Sequence, residues 1–435
     1  MQSASKVLSL FMRASSERLS IFATPKGTVQ TLGWNSLLEF GRDNGVRLME
    51  PKRYDHEILL LQGGGALGAY QAGVYEGLVE AGVAPTWVVG ISIGAINASL
   101  IVGNPPERRV ERLREFWQRV SRDVGPPLPA WLDPLRPTFN HMAAMSAATF
   151  GIRAFFTPRM PPASFAADGT EGALSVYDTT PLKATLEELV DFDLINSGQV
   201  RLSLGAVDIR KGTSIYFDTK STRIHADHVR ASGALPPGFP PVTIDGEHYW
   251  DGGVVSNTPI TYVSDERPLT TARIIQVDVF NSQGELPRNL SQVSERAKDI
   301  QYASRTRLNV EQIREFGELR AACRRLVSKL PPALKSDPDA IKLAAACDDR
   351  SWTIIRLINT RLSRSGLVKD YEFSRATISE AWAAGLEDVR RSVSGWDKIR
   401  PATGPGIVVY RPTEALPSPG QVATQEKAKP VPMRA

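Results

Sequence analysis

The sequence predicts an α/β fold built on a central, mostly parallel sheet. Two short apolar runs, Ile58-Leu59-Leu60-Leu61 and Thr86-Trp87-Val88-Val89, read as strands buried on both faces. Each runs into glycines and then into a helix. Gly63-Gly64-Gly65-Ala66-Leu67-Gly68 opens the first, with Tyr70, Val74, Leu78 and Val79 on one face and Glu76 and Glu80 opposite. Gly90-Ile91-Ser92-Ile93-Gly94 opens the second, a run of small and apolar residues through Ile101. Two strand–helix units in succession imply parallel pairing with right-handed crossovers.

The chain has 435 residues, 42% hydrophobic and 23% charged, enough for one large domain with an extension or for two domains. Its 52 basic and 47 acidic residues leave a net charge of +5, which favours approach to an anionic membrane surface over repulsion. No nucleic-acid motif accompanies that charge, so a nucleic-acid partner is not expected. Cys323 and Cys347 suggest neither a disulfide framework nor a zinc site, as suits a reducing compartment. Met1 to Ser20 lacks the unbroken apolar run of a signal peptide, and no 18-residue apolar stretch predicts a spanning helix. The expectation is a cytoplasmic protein that meets lipid peripherally.

Residues 1–56 read as a partly ordered arm. Pro105 to Val120 is an amphipathic helix, with Val110, Leu113, Phe116, Trp117 and Val120 on one face and Arg108, Arg109, Arg112, Arg114 and Arg119 around the rest. The apolar face fits the core or, less readily, a lipid surface. Gly125 to Pro137 is too proline-rich for regular structure. Phe139 to Phe165 carries many Phe and Met residues and few charges. Either it packs as ordinary core or it forms a mobile cap over a site that admits acyl chains.

A helix is expected after Tyr177, and strands at Val200–Val207 and Ser214–Phe217. His225 to Ser232 reads as a short helix. Val242-Thr243-Ile244 and Glu247-His248-Tyr249-Trp250, joined by Asp245-Gly246, read as a hairpin with a two-residue turn, delivering Asp251-Gly252-Gly253 at its end. Arg273 to Phe280 is a further strand, and Ser374 to Val393 an amphipathic helix. Pro401 to Ala435 reads as a disordered tail.

A serine between two glycines at a strand-to-helix junction has the form of a nucleophile elbow. The same residues also describe a glycine-rich turn with an N-capping serine. The Gly63 loop formally matches a dinucleotide fingerprint. More broadly, a glycine loop opening a helix offers backbone N–H groups to any negative charge, including a tetrahedral oxyanion. A hydrolytic serine needs a base. His225, His228 or His248, backed by Asp208 or Asp218, is one choice. Asp251, screened only by glycines, is another, because a desolvated carboxylate can take the hydroxyl proton directly.

The three motifs Gly63–Gly68, Gly90–Gly94 and Asp251–Gly253, in that order, resemble the patatin-like phospholipase family. Residues 231–242 and 251–259 read like its bacterial members. The likeness covers about residues 57–265. It implies a three-layer α/β/α fold, and a Ser–Asp dyad without histidine: Ser92 as nucleophile, Asp251 as base, and Gly63, Gly64, Gly65 and Gly68 as the oxyanion loop. Gly90 and Gly94 flank the nucleophile, and Gly252 and Gly253 follow the base. Leu67 stands where many relatives carry Arg or Lys, which puts contact with a phosphate headgroup in doubt. Lys369-Asp370-Tyr371-Glu372-Phe373-Ser374-Arg375 resembles a C-terminal extension of a bacterial subgroup.

The implied organisation is an arm over 1–56, a patatin-like acyl hydrolase domain over 57–265, a strand plus helical extension over 266–399, and a disordered tail over 400–435. The implied activity is serine-dependent cleavage of lipid acyl esters, phospholipid or lysophospholipid foremost, with no metal or organic cofactor. Two other readings stand beside it: a hydrolase of a storage polyester or acyl thioester, and a non-catalytic lipid-binding or scaffold protein. A nucleotide enzyme built on the Gly63 loop leaves Ser92 and Asp251 unexplained.

Overall fold

The computed structural model describes residues 54–122, 135–266, 269–347, 350–360, 369–396, 399 and 406–412, and the backbone of three short N-terminal strands. Contacts divide the chain into two units, Met1–Arg53 and Tyr54–Ala435. In the first, Ala14–Ser15, Arg18–Ile21 and Gln30–Thr31 pair antiparallel.

The second unit is organised around a nine-stranded sheet. Its strands are β1 (His56–Leu61), β2 (Trp87–Ile91), β3 (Arg201–Asp208), β4 (Thr213–Asp218), β5 (Val242–Ile244), β6 (Glu247–Asp251), β7 (Thr271–Asp278), β8 (Ser351–Ile358) and β9 (Gly406–Tyr410). The order runs β5-β6-β3-β2-β1-β7-β8-β9, with β4 also paired to β3. From β3 through β9 that path is parallel; β4, β5 and β6 join antiparallel.

The central strands alternate between two cores. Leu59, Leu61, Val88, Ile275, Val277, Ile355 and Leu357 point to one face. They pack there with helices α1 (Ala69–Glu80), α2 (Ile93–Val102) and α3 (Arg109–Val120). Ile58, Leu60, Trp87, Val89, Ile274, Trp352 and Ile354 point to the other face, against Ile260, Val263 and Val310. Helices on both faces of a mainly parallel sheet make this the three-layer α/β/α fold.

Several expectations change in detail. Val79 is exposed, whereas Tyr70, Val74 and Leu78 of the same helix are buried. The apolar face of α3 enters the core through Leu113, Phe116, Trp117 and Val120, so it does not face lipid. Nor is Arg109 on a solvated face. It is buried, with Nε donating to the Asn104 carbonyl at 3.0 Å. The other arginines pair with acids: Arg108 with Glu111 at 3.5 Å, and Arg112 with Glu115, Arg114 with Glu76 and Arg119 with Glu188, each of these three at 2.5 Å.

The first part of the Phe139–Phe165 stretch is helical, α4 (Arg136–Phe150). Alanines 143, 144 and 147 are buried there, while Met142, Met145 and Phe150 remain exposed. The expected tail contains β9, whose Gly-Ile-Val-Val-Tyr pairs parallel with β8. Its β-branched residues suit a strand despite the proline-rich surroundings. Residues 413–435, and the proline-rich segment as far as 134, lie outside the described residues.

Beyond β7, helix α9 (Leu290–Ser328) has 39 residues. The helices between α4 and α9 are α5 (Thr180–Leu189), α6 (Phe192–Asn196), α7 (Ala226–Ser232) and α8 (Ile260–Asp265). They are followed by α10 (Pro338–Ala346) and α11 (Arg375–Trp396). α11 is bound to α1 by Tyr70 Oη donating to Asp388 at 2.8 Å, Arg390 to Glu80 at 2.7 Å, and Trp382 Nε1 to Glu76 at 2.5 Å. No helix among the described residues is long and apolar enough to cross a membrane.

Candidate active site

The site forms where β2 and β6 end against the same edge of β3. β2 runs parallel to β3 and pairs with residues 201–205. β6 runs antiparallel and takes over that edge at residues 206–208. The two strands therefore meet end to end, Ile91 opposite Gly205 and Asp251 opposite Ala206. The next residues leave the sheet on both sides, Ser92 into α2 and Gly252 into a short 3₁₀ turn. The β5–β6 hairpin fixes this register. Asp245 and Gly246 have φ of 52° and 82°, the left-handed pair of a type I′ turn.

Ser92 has φ 57° and ψ −124°, a strained conformation for a residue with a side chain. Such a turn sets the hydroxyl clear of the strand end. It requires that α2 start almost on top of the sheet: a Cβ at Gly94 would collide with the Leu61 carbonyl, and one at Gly90 with the Gly94 carbonyl. Ser232, fully buried at the end of α7, fastens the turn. Its Oγ accepts from the Ser92 N–H at 3.0 Å and donates to the Gly205 carbonyl at 2.6 Å.

Asp251 is 2% exposed. Its Oδ1 accepts from the Gly253 N–H at 2.7 Å, and its backbone N–H donates to the Ala234 carbonyl at 2.9 Å. Burial pushes its pKa from 3.8 up to about 6; hydrogen bonds from the Ser92 side chain and the Gly253 N–H oppose that rise. A carboxylate that titrates at about 6, in contact with a strained serine, is ionised at neutrality and still basic enough to take a proton, which are the properties of a general base.

The glycine loop lies beside them. Gly65 has φ 54°, and the loop closes into a 3₁₀ turn, Gly65–Gly68, before α1. Asn257 ties it to the Asp251 turn: its Nδ2 donates to the Gly63 carbonyl at 3.0 Å, and its own carbonyl accepts from the Gly63 N–H at 3.4 Å. Ala66 N–H donates to the Asp370 carbonyl at 2.9 Å. The N–H groups of Gly64 and Gly65 have no hydrogen-bond partner among the described residues. Beneath the loop, buried Gln62 accepts from Val279 N–H at 2.7 Å and donates to Thr258 Oγ1 at 3.2 Å, setting where the loop leaves β1.

Ser92, Asp251, Gly63, Gly64, Gly65 and Gly253 line one cavity of about 400 Å³. Its remaining wall is mostly apolar and aromatic, including Ile96, Met145, Phe155, Phe156, Phe239, Phe280 and Phe373. Gly68, Gly90, Gly94 and Gly252 stand behind the lining. Leu67 turns away, buried against a neighbouring cavity.

The histidine alternatives are elsewhere and do not line this cavity. His228 is buried, its pKa lowered to about 4 chiefly by desolvation, and accepts from the His225 N–H at 3.1 Å. His248 bonds Thr243. Asp208 pairs with Lys211, and Asp218 with Arg201.

The model for patatin-like phospholipases matches residues 59–264, and a second model, for a patatin phospholipase, matches residues 300–402. The chain belongs to the patatin-like phospholipase family. The second match identifies the region holding α11 and the 369–375 segment as the family's C-terminal extension. The family places the chain among lipid acyl hydrolases.

Among solved structures, VipD from Legionella pneumophila is 16% identical, over 92% of this chain and 72% of that one, with a TM-score of 0.34. The type III effector protein ExoU is 12% identical over 90% of this chain and 58% of its own, with a TM-score of 0.33. ExoU in complex with SpcU, from Pseudomonas aeruginosa, is 13% identical over 90% and 85%, with a TM-score of 0.26. No curated protein matches the chain in sequence.

Proposed function

We propose that this patatin-like protein is a serine hydrolase of lipid acyl esters, phospholipid or lysophospholipid foremost, working through Ser92 and Asp251. The observation that carries the reading is the meeting of β2 and β6 on one edge of β3. It sets a strained serine against a buried carboxylate at the mouth of an apolar cavity.

Ser92 Oγ attacks the ester carbonyl while its proton passes to Asp251. The tetrahedral oxyanion is held by the N–H groups of Gly64 and Gly65, which have no partner among the described residues. Collapse expels the alcohol, which takes the proton back from Asp251. A water molecule, deprotonated by the same carboxylate, then attacks the acyl-enzyme; collapse releases the acid and Asp251 returns the proton to Ser92 Oγ. The aromatic wall takes the acyl chain. The buried Leu67 contributes no cation for a headgroup, so the reading rests on acyl recognition.

Intact mass spectrometry with a fluorophosphonate probe tests this. A single adduct on the wild type, absent from Ser92→Ala, supports the nucleophile assignment, and fatty acid release from phospholipid or lysophospholipid micelles supports the substrate class. An adduct that survives in Ser92→Ala would overturn the reading.

A further inference from the structure

The segment Lys369-Asp370 is joined to α9 by two crossed ion pairs. Lys298 Nζ lies 2.6 Å from both carboxylate oxygens of Asp370, and Lys369 Nζ lies 2.5 Å from Asp299 and 3.4 Å from Glu295. A Lys-Asp dipeptide on the helix thus clasps a Lys-Asp dipeptide some 70 residues later. Lys369, Asp370 and Glu295 are each under a tenth exposed. Lys298 Nζ also sits 5.1 Å above the Tyr371 ring, which lines the Ser92 cavity.

The desolvation cost of buried ion pairs offsets much of their attraction, so they explain stability poorly and fixed geometry better. What this clasp fixes is the Asp370 backbone. The Asp370 carbonyl receives the Ala66 N–H at 2.9 Å, and it backs so closely onto Gly65 that a Cβ there would strike it. The glycine loop is therefore pinned at two points, by Asn257 at Gly63 and by Asp370 at Ala66. Gly64 and Gly65, with their unpaired N–H groups, lie between the two pins.

We infer that Asp370 is a positioning residue of the hydrolase site: its Lys298-anchored backbone holds the glycine loop in the shape that receives the oxyanion. This rests on the function proposed above. It gives the C-terminal extension a part in the chemistry of the N-terminal motifs. Asp370 touches no reacting atom. Its carboxylate acts on Lys298, and only its carbonyl acts on the loop.

The experiment compares wild type, Ser92→Ala, Asp370→Asn and Lys298→Gln on p-nitrophenyl butyrate, with thermal melting of each. Misplacing a catalytic group by an ångström costs about 10²-fold, so both clasp variants should lose about that factor in kcat with KM little changed. Phosphonylation by the fluorophosphonate probe, which uses the same oxyanion site, should slow in parallel. The double variant should be hardly worse than either single, and the exchanged pair Lys298→Asp/Asp370→Lys should recover part of the rate.

If folded variants keep wild-type kcat, or if neither variant folds, the clasp serves stability and the inference is overturned. Absence of any Ser92-dependent rate in the wild type removes the functional reading and this inference together. A Ser92-dependent rate that ignores Asp370 and Lys298 removes only the inference.

Discussion

Ile91 and Asp251 occupy consecutive register positions on one edge of β3, opposite Gly205 and Ala206. A parallel strand and an antiparallel strand thus end nose to nose. The residue after the first, Ser92, and the last residue of the second, Asp251, are brought together by this backbone pairing. A one-residue slip of β6 would turn Asp251 to the other face of the sheet.

If Ser92 and Asp251 act as one unit, their losses do not add. Ser92→Ala and Asp251→Asn should each lower kcat/KM for a soluble ester by at least about 10³-fold, with the double variant within a few-fold of the worse single. Steady-state rates on p-nitrophenyl esters check this. Near-wild-type activity in Asp251→Asn would assign the base to another group.

If Asp251 is the base, it must be ionised to work. With its pKa pushed up to about 6, activity should rise with pH through that value and fall about tenfold per unit well below it. A histidine base would titrate nearby, but the two are separable. Ionising a carboxylic acid creates charge, whereas deprotonating an imidazolium does not. The acid limb of kcat/KM should therefore move upward in a mixed organic solvent. A limb that stays in place would point to an imidazole.

The same shift has a cost in stability. Asp251 titrates at about 6 when folded and near 3.8 when unfolded, so the native state binds more protons between those values. Stability should then fall as pH rises through this window, by up to about 3 kcal/mol, and stay lower above it. Asp251→Asn removes the buried charge. Its melting temperature should exceed that of wild type at pH 8 and converge with it near pH 4. An Asn variant that is less stable at pH 8 would mean that the ionised carboxylate stabilises the fold.

Much of this site is legible in the sequence because its motifs are local. A glycine loop, a glycine-flanked serine and Asp-Gly-Gly each announce a turn within a few residues, and a two-residue hairpin turn announces β6. Ser232 and Asn257 were not legible as site residues. Their partners are backbone groups 140 and 194 residues away, and nothing in the neighbouring sequence specifies such a bond. The Asp370 carbonyl is hidden for the same reason. Strand β8, Ser-Trp-Thr-Ile-Ile-Arg-Leu-Ile, was missed: its β-branched residues suit a strand, but it lies in a region whose average composition reads as helical and charged. β9 is five residues inside a stretch whose average composition is that of a tail.

The acyl wall offers a test that does not disturb the core. Phe155 and Phe156 line the cavity, but they are buried in an aromatic cluster with Phe239, and Phe155 also meets Phe116 and Phe373. Replacing either by a polar residue would unfold the region as well as alter the pocket. Met145 is better placed. It lines the same cavity from α4 and is 54% exposed, so substitution there costs little stability. Each methylene of a bound acyl chain that it shields from water contributes about 0.8 kcal/mol. Losing two such contacts in Met145→Glu should lower kcat/KM for a long-chain ester by roughly tenfold or more relative to a four-carbon ester, with the melting temperature unchanged. Parallel assays on p-nitrophenyl butyrate and palmitate separate the outcomes. A selective loss on palmitate locates the chain along α4. An equal loss on both would mean that Met145 shapes the catalytic centre itself, and no loss would send the chain along the Phe280 side of the cavity.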